Sequence, residues 1–210
     1  MLLVELYVPK GVLSPQRREQ LAHRLVEFMD EDEHSPTVLE DARALTQVML
    51  LEPETWIAGD RTVGRQNTRY IARVSVPAPW VKQVRGELVR RFTRIIFDAA
   101  KEAAPDDQPR IWVEVRGVRD GSWGMDGRTL STPEIERLVT RRRRAEVRGR
   151  GPVPGPRPGT VHDPVCDMVV EMDDGAVTLV HDGEVYGYCT KSCRRIHVEE
   201  LGTQTSRPCS

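Results

Sequence analysis

The chain has 210 residues, of which 39% are hydrophobic, with 31 basic and 32 acidic side chains. This length allows one or two domains, and the near-neutral charge excludes a global field that would attract nucleic acid or an anionic membrane. The longest apolar runs, such as residues 48–51, are far too short to span a bilayer, and no basic segment followed by a long apolar stretch opens the chain. We therefore expect a soluble, cytoplasmic protein with no membrane or nucleic-acid partner.

Two short sequence matches indicate an internal duplication. The Val-Pro pair at residues 8–9 recurs at residues 76–77, and the Trp-to-Arg segment 56–61 has a counterpart at 123–128. The two matches keep the same order and nearly the same offset, which is typical of two related units in one chain.

The sequence of each of the two repeats predicts the same order of secondary-structure elements. An alternating apolar strand ends at a proline, an amphipathic helix follows, and a second strand closes the unit. A β-α-β unit needs a parallel strand pair and a right-handed crossover. The repeats, at about residues 1–66 and 67–139, therefore predict an α+β domain with a four-stranded sheet and both helices on one face. The other sheet face is left bare, which predicts assembly with further copies of the chain.

The strand-to-proline segments at residues 6–11 and 74–77 and the Trp-containing segments at 54–59 and 120–127 carry a family resemblance. They resemble the 4-oxalocrotonate tautomerase superfamily, specifically its longer members in which two β-α-β units are fused. The resemblance covers about residues 1–139. It implies a homo-oligomer, a trimer of fused units, whose sheets line a barrel.

The chemistry of that family depends on an amino-terminal proline, whose amine acts as base or nucleophile. Here Leu2 occupies that position, so Met1 is expected to stay in place, and the corresponding position of the second unit is Tyr70, inside the chain. The resemblance therefore implies the scaffold without its usual catalytic amine.

Two tryptophans and two arginines remain as candidates for a pocket that binds a small carboxylate. Guanidinium groups pair with carboxylates, and indole rings form apolar walls. The candidates are Trp56, Arg61, Trp123 and Arg128. The alternative is that both arginines are exposed and both tryptophans belong to the core or to an interface.

An arginine run followed by a glycine- and proline-rich stretch occupies residues 140–160. Such a sequence forms neither helix nor strand for long, and it predicts a solvated linker. Its arginines could alternatively attract an anionic partner.

Three of the four cysteines follow the spacing C-x22-C-x3-C, at Cys166, Cys189 and Cys193. The close pair can share an ion from one helical turn, while the first cysteine comes from a separate loop. Thiolates favour Zn(II) or Cu(I) over hard cations, so we predict a metal site here, with three ordinary buried thiols as the alternative. Cys209, near the end of the chain, is expected to be a loose surface thiol.

The segments at residues 163–169, 183–189 and 189–195 resemble the YHS and TRASH family of small metal-binding modules. We place this module at residues 161–203. The resemblance implies a role in heavy-metal sensing or trafficking. The sequence departs from the family at Asp167, where a glycine is usual, and at His197, where an aromatic core residue is common.

His197 is the predicted fourth metal ligand. Cys189, Cys193 and His197 are spaced at i, i+4 and i+8, so a continuous helix would place them in line and complete a Cys3His set. His162, His181 and water are competing fourth ligands. His197 could also fill the core for packing alone.

These observations predict a metal-binding protein built on a tautomerase-like homo-oligomer. One alternative is a tautomerase or related hydrolase that acts on a small enol or unsaturated carboxylic acid through a base other than proline. Another is a soluble heavy-metal sensor or carrier. A module this small buries little apolar surface, so the ion could supply much of its stability.

Overall fold

The computed structural model describes residues 2–29, 35–147 and 150–205, with side chains described to residue 202, so Met1 and Cys209 lie outside the described residues. In chain order the elements are β1 (Leu3–Tyr7), α1 (Pro15–Val26), α2 (Pro36–Ala44), β2 (Gln47–Leu51), β3 (Ile57–Ala58), β4 (Arg61–Thr62), β5 (Arg69–Pro77), a 3-10 turn (Ala78–Trp80), α3 (Val81–Ala103), β6 (Arg110–Val118), β7 (Trp123–Met125), β8 (Arg128–Leu130), α4 (Thr132–Val139), α5 (Arg141–Val147), β9 (Val153–Pro154), β10 (Thr160–His162), β11 (Val169–Glu171), β12 (Val177–His181), β13 (Glu184–Tyr188) and α6 (Lys191–Thr205).

The chain divides into two compact units. Unit 1 comprises Met1–Phe28 and Leu45–Leu130, and unit 2 comprises Met29–Ala44 and Ser131–Ser210. No helix among the described residues is long and apolar enough to cross a membrane.

Unit 1 is built on a four-stranded sheet with strand order β2-β1-β5-β6. β1 pairs in parallel with β2, and β5 pairs in parallel with β6, while β1 and β5 run antiparallel in the centre. The connection from β1 to β2 contains α1 and α2, and the connection from β5 to β6 contains α3. Such a helical crossover is the usual link between parallel strands. The α+β arrangement predicted from the duplicated β-α-β pattern is therefore confirmed.

The core of unit 1 lies on one face of this sheet. β5 alternates strictly, so that every second side chain points into the core, and α3 adds buried residues at helical spacing. The buried side chains shared by the two inner strands and the two helices include Val4, Leu6, Leu21, Leu25, Ala72, Val74, Leu88, Phe92 and Ile96. Both helices thus cover the same face, as predicted.

The opposite face of the sheet is not covered by the helices of unit 1, and we call it the open face. Trp112 is 66% exposed there. The guanidinium of Arg73, on β5, donates to the Tyr7 hydroxyl of β1 over 3.2 Å and lies 3.4 Å from the Glu114 carboxylate on β6.

One short hairpin follows the second strand of each repeat. In the first, β3 and β4 are joined by a turn in which Gly59 has a φ of 67°. In the second, β7 and β8 are joined through Asp126 and Gly127, whose φ angles of 51° and 77° match the two positive values of a type I′ turn. The repeated Trp-to-Arg segments therefore both form hairpins with two-residue turns, although only the second turn has two positive φ angles.

Unit 2 combines a helical part with two small antiparallel sheets. Helices α2, α4 and α5 contact one another, and their buried apolar residues include Val38, Leu39, Ile135 and Val139. The sheets have strand orders β11-β10-β9 and β12-β13, and α6 contacts the second of them.

These units divide the chain differently from the boundaries expected from the sequence. Helix α4, expected in the first domain, belongs to unit 2, and the expected solvated linker at residues 140–160 contains α5 and β9. The reason is that the arginine run forms ion pairs with acidic residues of α2. The Arg142 guanidinium lies 2.8 Å from the carboxylates of both Glu40 and Asp41, so this segment packs as a helix.

Candidate metal centre

Three thiols and one carboxylate meet at one point of unit 2. The potential ligand atoms of Asp163, Cys166, Cys189 and Cys193 all lie within 4.8 Å of one another. The Cys189 sulfur is 3.4 Å from that of Cys166 and 3.7 Å from that of Cys193, and no disulfide joins them. In the part of the chain that the structure describes, no other group of three or more such residues comes as close together.

Two separate loops bring the cysteines to this point. Cys166 lies in the turn between β10 and β11, which is closed by a 2.9 Å hydrogen bond from the Asp167 N–H to the Asp163 carbonyl. Cys189 directly follows β13, and Cys193 lies in the first turn of α6. The Cys193 N–H donates to the Thr190 hydroxyl over 3.0 Å, a typical N-cap bond. The helix therefore begins after Cys189, which was predicted to lie on it.

Asp163 was not singled out from the sequence, although it holds the two loops together. Its side chain is fully buried. Oδ1 accepts the N–H groups of Val165 and Cys166 at 2.8 and 3.4 Å, and Oδ2 accepts the N–H of Cys189 at 2.9 Å. One sequence signal was available. Asp163 precedes Val165 and Cys166 by two and three positions, which is the spacing at which an aspartate side chain accepts backbone N–H groups in an Asx turn.

The cluster combines a buried carboxylate with thiols whose pKa values are shifted in opposite directions. Burial, and then the charge of Cys193, raise the pKa of Asp163 to about 7, although its backbone hydrogen bonds oppose this. Hydrogen bonds from the other two thiols lower the pKa of Cys193, whereas hydrogen bonds to Cys189 and Cys193 raise that of Cys166. Thiol protons therefore favour the thiolate form of Cys193, and thiolate is the form of cysteine that can bind a metal ion.

His197 lies outside this group of four. Its Nδ1 atom is 2.7 Å from the Tyr188 hydroxyl, and its ring packs edge-on against Tyr186 with the ring centroids 5.0 Å apart. Burial lowers the pKa of His197. The ring therefore packs among aromatic residues, and Asp163 stands with the three cysteines where His197 was predicted.

Asp167 lies in the same loop and has a φ angle of 69°, in the left-handed region that few residues other than glycine adopt. The Asp167 carboxylate pairs with Arg143 and lies 3.4 Å from Nδ1 of His162. These contacts hold the strained turn. His162 and His181, the other histidine candidates for a fourth ligand, lie outside the group of four.

The four residues predicted to line a carboxylate pocket lie on the hairpins of unit 1. Trp56 and Trp123 are partly buried, whereas Arg61 and Arg128 are exposed. None of them lines the cavity of about 460 Å³ in unit 1. Their role in binding stays a prediction.

That cavity lies where β1 leads into α1, and we call it the arginine cavity. It is lined by residues 11–15 together with Arg17, Arg18, Glu52, Arg65 and Ala103. Arg18 pairs with Glu52, and Arg65 donates to the Gly11 carbonyl over 3.0 Å. Nη1 of Arg17 is buried and has no hydrogen-bond acceptor among the described residues.

No protein-family model matches this chain, and no curated protein matches it. Several solved structures are similar to it. A macrophage migration inhibitory factor-like protein from Entamoeba histolytica is 12% identical over 61% of this chain and 98% of its own, with a TM-score of 0.45. The protein N1, described as a member of the cis-3-chloroacrylic acid dehalogenase family, is 16% identical over 61% and 82%, with a TM-score of 0.46. A fused 4-OT described as a symmetric trimer is 17% identical over 63% and 97%, with a TM-score of 0.45.

We expect Asp163→Asn to lower the free energy of unfolding of the metal-free, reduced protein by about 1–3 kcal/mol, the cost of an unsatisfied buried polar group. The asparagine NH2 would face a backbone N–H that the carboxylate now accepts. Urea denaturation followed by circular dichroism measures the change. The exposed Asp174→Asn should alter it by less than about 0.5 kcal/mol. Equal stability of the two variants would show that Asp163 does not hold the loops.

Proposed function

We propose that unit 2 binds a Zn(II) or Cu(I) ion through the thiolates of Cys166, Cys189 and Cys193. The observation that supports this most is the meeting of three unbridged sulfurs and a fully buried carboxylate within 4.8 Å. Buried negative groups without a cation are costly, and thiolate sulfur selects these two ions. Asp163 replaces His197 in the proposed ligand set and supplies the fourth ligand of tetrahedral Zn(II).

The burial of the ligands favours an ion that holds unit 2 together. Cys193 is 3% exposed and Cys166 is 9% exposed. A closed set of four protein ligands is typical of structural zinc, whereas catalytic zinc keeps an open position. The core beside the ligands is small, with Val165, Tyr186, Tyr188 and Ile196 as its other buried members. The ion therefore adds stability that so few apolar residues do not supply.

The first test is titration of the reduced protein with Co(II), which gives a sulfur-to-metal charge-transfer band when thiolates bind it. We expect this band to saturate at one equivalent. Cys193→Ser should weaken binding at least tenfold, and Cys209→Ser, which removes the cysteine outside the motif, should leave it unchanged. At about 1,000 times the dissociation constant, the ion should raise the free energy of unfolding by about 4 kcal/mol, and a chelator should remove that gain. Absence of the band from the folded wild type would refute thiolate binding.

We further propose that unit 1 assembles into a homo-oligomer, a trimer in the tautomerase-like reading, through its open face. The support is the exposed Trp112 and the cross-strand charge network beside it. Aromatic residues and arginine are enriched in the buried parts of interfaces. The two parallel strand pairs also leave this face without a covering layer from the helices of unit 1.

We expect light scattering of the wild type to give a mass of three times 23.8 kDa. Trp112→Glu should shift the distribution towards the monomer, because a buried unpaired charge opposes assembly. Val180→Glu is the matched control, since Val180 is 67% exposed on a hairpin of unit 2. A monomeric wild type, or equal masses for the two variants, would contradict assembly through the open face.

A second candidate function is binding or isomerisation of a small carboxylic acid in the arginine cavity. The specific observation in its favour is the buried Nη1 of Arg17, for which a carboxylate oxygen is a suitable acceptor. Chemistry of the usual family kind is not supported, because Leu2 is a buried strand-edge residue whose carbonyl accepts the Gln47 N–H at 2.9 Å. Any isomerase activity would use a base other than an amino-terminal proline.

Ketonisation of phenylpyruvate and of 2-hydroxymuconate tests this candidate. Arg17→Gln should lower kcat/KM roughly 10- to 100-fold, the effect of losing a charge-assisted hydrogen bond. Arg61→Gln and Arg128→Gln should have smaller effects, because these exposed residues do not line the cavity. A large loss in either hairpin variant alone would place the substrate at the hairpins instead. No activity in the wild type would remove the enzyme candidate.

A further inference from the structure

The cysteine cluster of unit 2 places one sulfur in contact with the other two. Sγ of Cys189 lies 3.4 Å from that of Cys166 and 3.7 Å from that of Cys193. A tetrahedral zinc ion with Zn–S bonds of about 2.3 Å holds its sulfur ligands about 3.8 Å apart. The distance between Cys189 and Cys193 agrees with that value, whereas Cys166 and Cys189 lie closer together than an ion requires. The contact between these two sulfurs therefore also suits a covalent bond between them.

The backbones of Cys166 and Cys189 are held together by one carboxylate. Asp163 accepts the Cys166 N–H at 3.4 Å and the Cys189 N–H at 2.9 Å, so the two loops have a common anchor that does not involve sulfur. A disulfide has an S–S length of about 2.05 Å, so the two sulfur atoms, now 3.4 Å apart, need to approach by only about 1.4 Å. Small rotations of the two side chains supply this movement without separating the loops.

The three thiols of the cluster differ in their access to solvent. Cys166 and Cys193 are buried, whereas Cys189 is partly exposed. A small oxidant such as a peroxide therefore reaches the sulfur of Cys189 first, because oxidation of cysteine depends on exposure. The nearest thiol to an oxidised Cys189 is that of Cys166. An accessible cysteine beside a second cysteine that can react with its oxidised form is the usual arrangement of a redox-sensitive pair.

We propose that Cys166 and Cys189 form a reversible disulfide when a peroxide oxidises the metal-free protein, and that this bond excludes the metal ion. The formation of the disulfide depends only on the geometry of the thiols, whereas its effect on the ion rests on the proposed function. The bond removes two of the three thiolates from the ligand set and leaves Cys193 and Asp163. The oxidation state of the pair then controls whether unit 2 binds metal.

The oxidation has two steps. The sulfur of Cys189 attacks one oxygen of the peroxide, the O–O bond breaks, and a sulfenic acid forms while hydroxide leaves. The sulfur of Cys166 then attacks the sulfur of Cys189, the S–O bond breaks, and water leaves. With hydrogen peroxide, the two thiols lose two electrons and two protons, and the peroxide becomes two molecules of water. A low-molecular-weight thiol reverses the reaction by attacking Cys189, the more accessible sulfur of the disulfide.

The test treats the reduced, metal-free full chain with hydrogen peroxide and then labels its free thiols with a maleimide. We expect the labelled thiols to fall from four to two, with a loss of about 2 Da before labelling, and dithiothreitol should restore all four. Trypsin locates the bond. No lysine or arginine lies between Cys166 and Cys189, so both stay on one peptide, while cleavage after Lys191 places Cys193 on another. The expected product is an unlabelled peptide with Cys166 and Cys189, joined to no other peptide.

Serine variants give matched controls for the same treatment. Cys193→Ser and Cys209→Ser should each fall from three labelled thiols to one, because both keep the reacting pair. Cys189→Ser should keep all three of its thiols, because the sulfur that oxidises first is absent. Loss of two thiols from Cys189→Ser, or none from Cys209→Ser, would contradict the assignment of the pair.

Bound metal gives a second readout. One equivalent of Zn(II) should slow the loss of thiols at least about tenfold, because the ion occupies both sulfurs. The oxidised protein should give no Co(II) charge-transfer band until it is reduced, and a full band would overturn the exclusion of the ion. Four labelled thiols in treated metal-free wild type, or a bond between the two tryptic peptides, would overturn the disulfide, while the band of the reduced protein would still support the cysteine site. A reduced protein without the band would refute the cysteine site and leave the disulfide standing.

Discussion

Three backbone N–H groups converge on the carboxylate of Asp163, and the geometry of the candidate metal centre depends on these bonds. They come from Val165 and Cys166 on one loop and from Cys189 on the other. Without this carboxylate the two loops would have no common anchor inside the cluster. The sulfur atoms are therefore held near one another before any ion binds, which lowers the ordering cost of binding. The same burial makes uncompensated negative charge costly at this point, and a bound cation would reduce that cost.

The two units are stabilised in different ways. Unit 1 has a continuous core in which two strands and two helices contribute buried aliphatic and aromatic side chains. The rings of Phe28 and Phe92 pack edge-on, with their centroids 5.2 Å apart. The buried cluster beside the cysteines is much smaller. In unit 2 the arginines of α5 also contribute, because they pair with carboxylates on α2, α6 and the cysteine loop. We therefore expect bound metal to matter far more for unit 2 than for unit 1.

Much of the fold could be predicted because local patterns of apolar residues indicate its strands and helices. The alternation of buried and exposed residues along β5 and the helical spacing of buried residues along α3 are strong signals. The duplicated segments predicted two similar strand pairs, and the strand order β2-β1-β5-β6 contains them. The three cysteines were also found from spacing alone. The packing of α2 against α5 in unit 2 includes the pairing of Arg142 with Glu40, 102 residues apart, which no local pattern contains.

The helix geometry assumed for His197 differs from the structure for a specific physical reason. The prediction of His197 assumed that one helix carries Cys189, Cys193 and His197 in line. Thr190 caps that helix, so it begins at Lys191, and Cys189 stays on the loop where its N–H reaches Asp163. A helix start is among the least reliable parts of a prediction from sequence, and here it decides whether Cys189 lies on the helix or on the loop.

The most direct test of the account is X-ray absorption spectroscopy at the zinc edge of the protein loaded with one equivalent of Zn(II). The account predicts a first shell of three sulfur atoms at about 2.3 Å and one lighter atom at about 2.0–2.2 Å. A first shell made only of nitrogen and oxygen atoms would contradict the assignment of the cysteines as the primary metal centre.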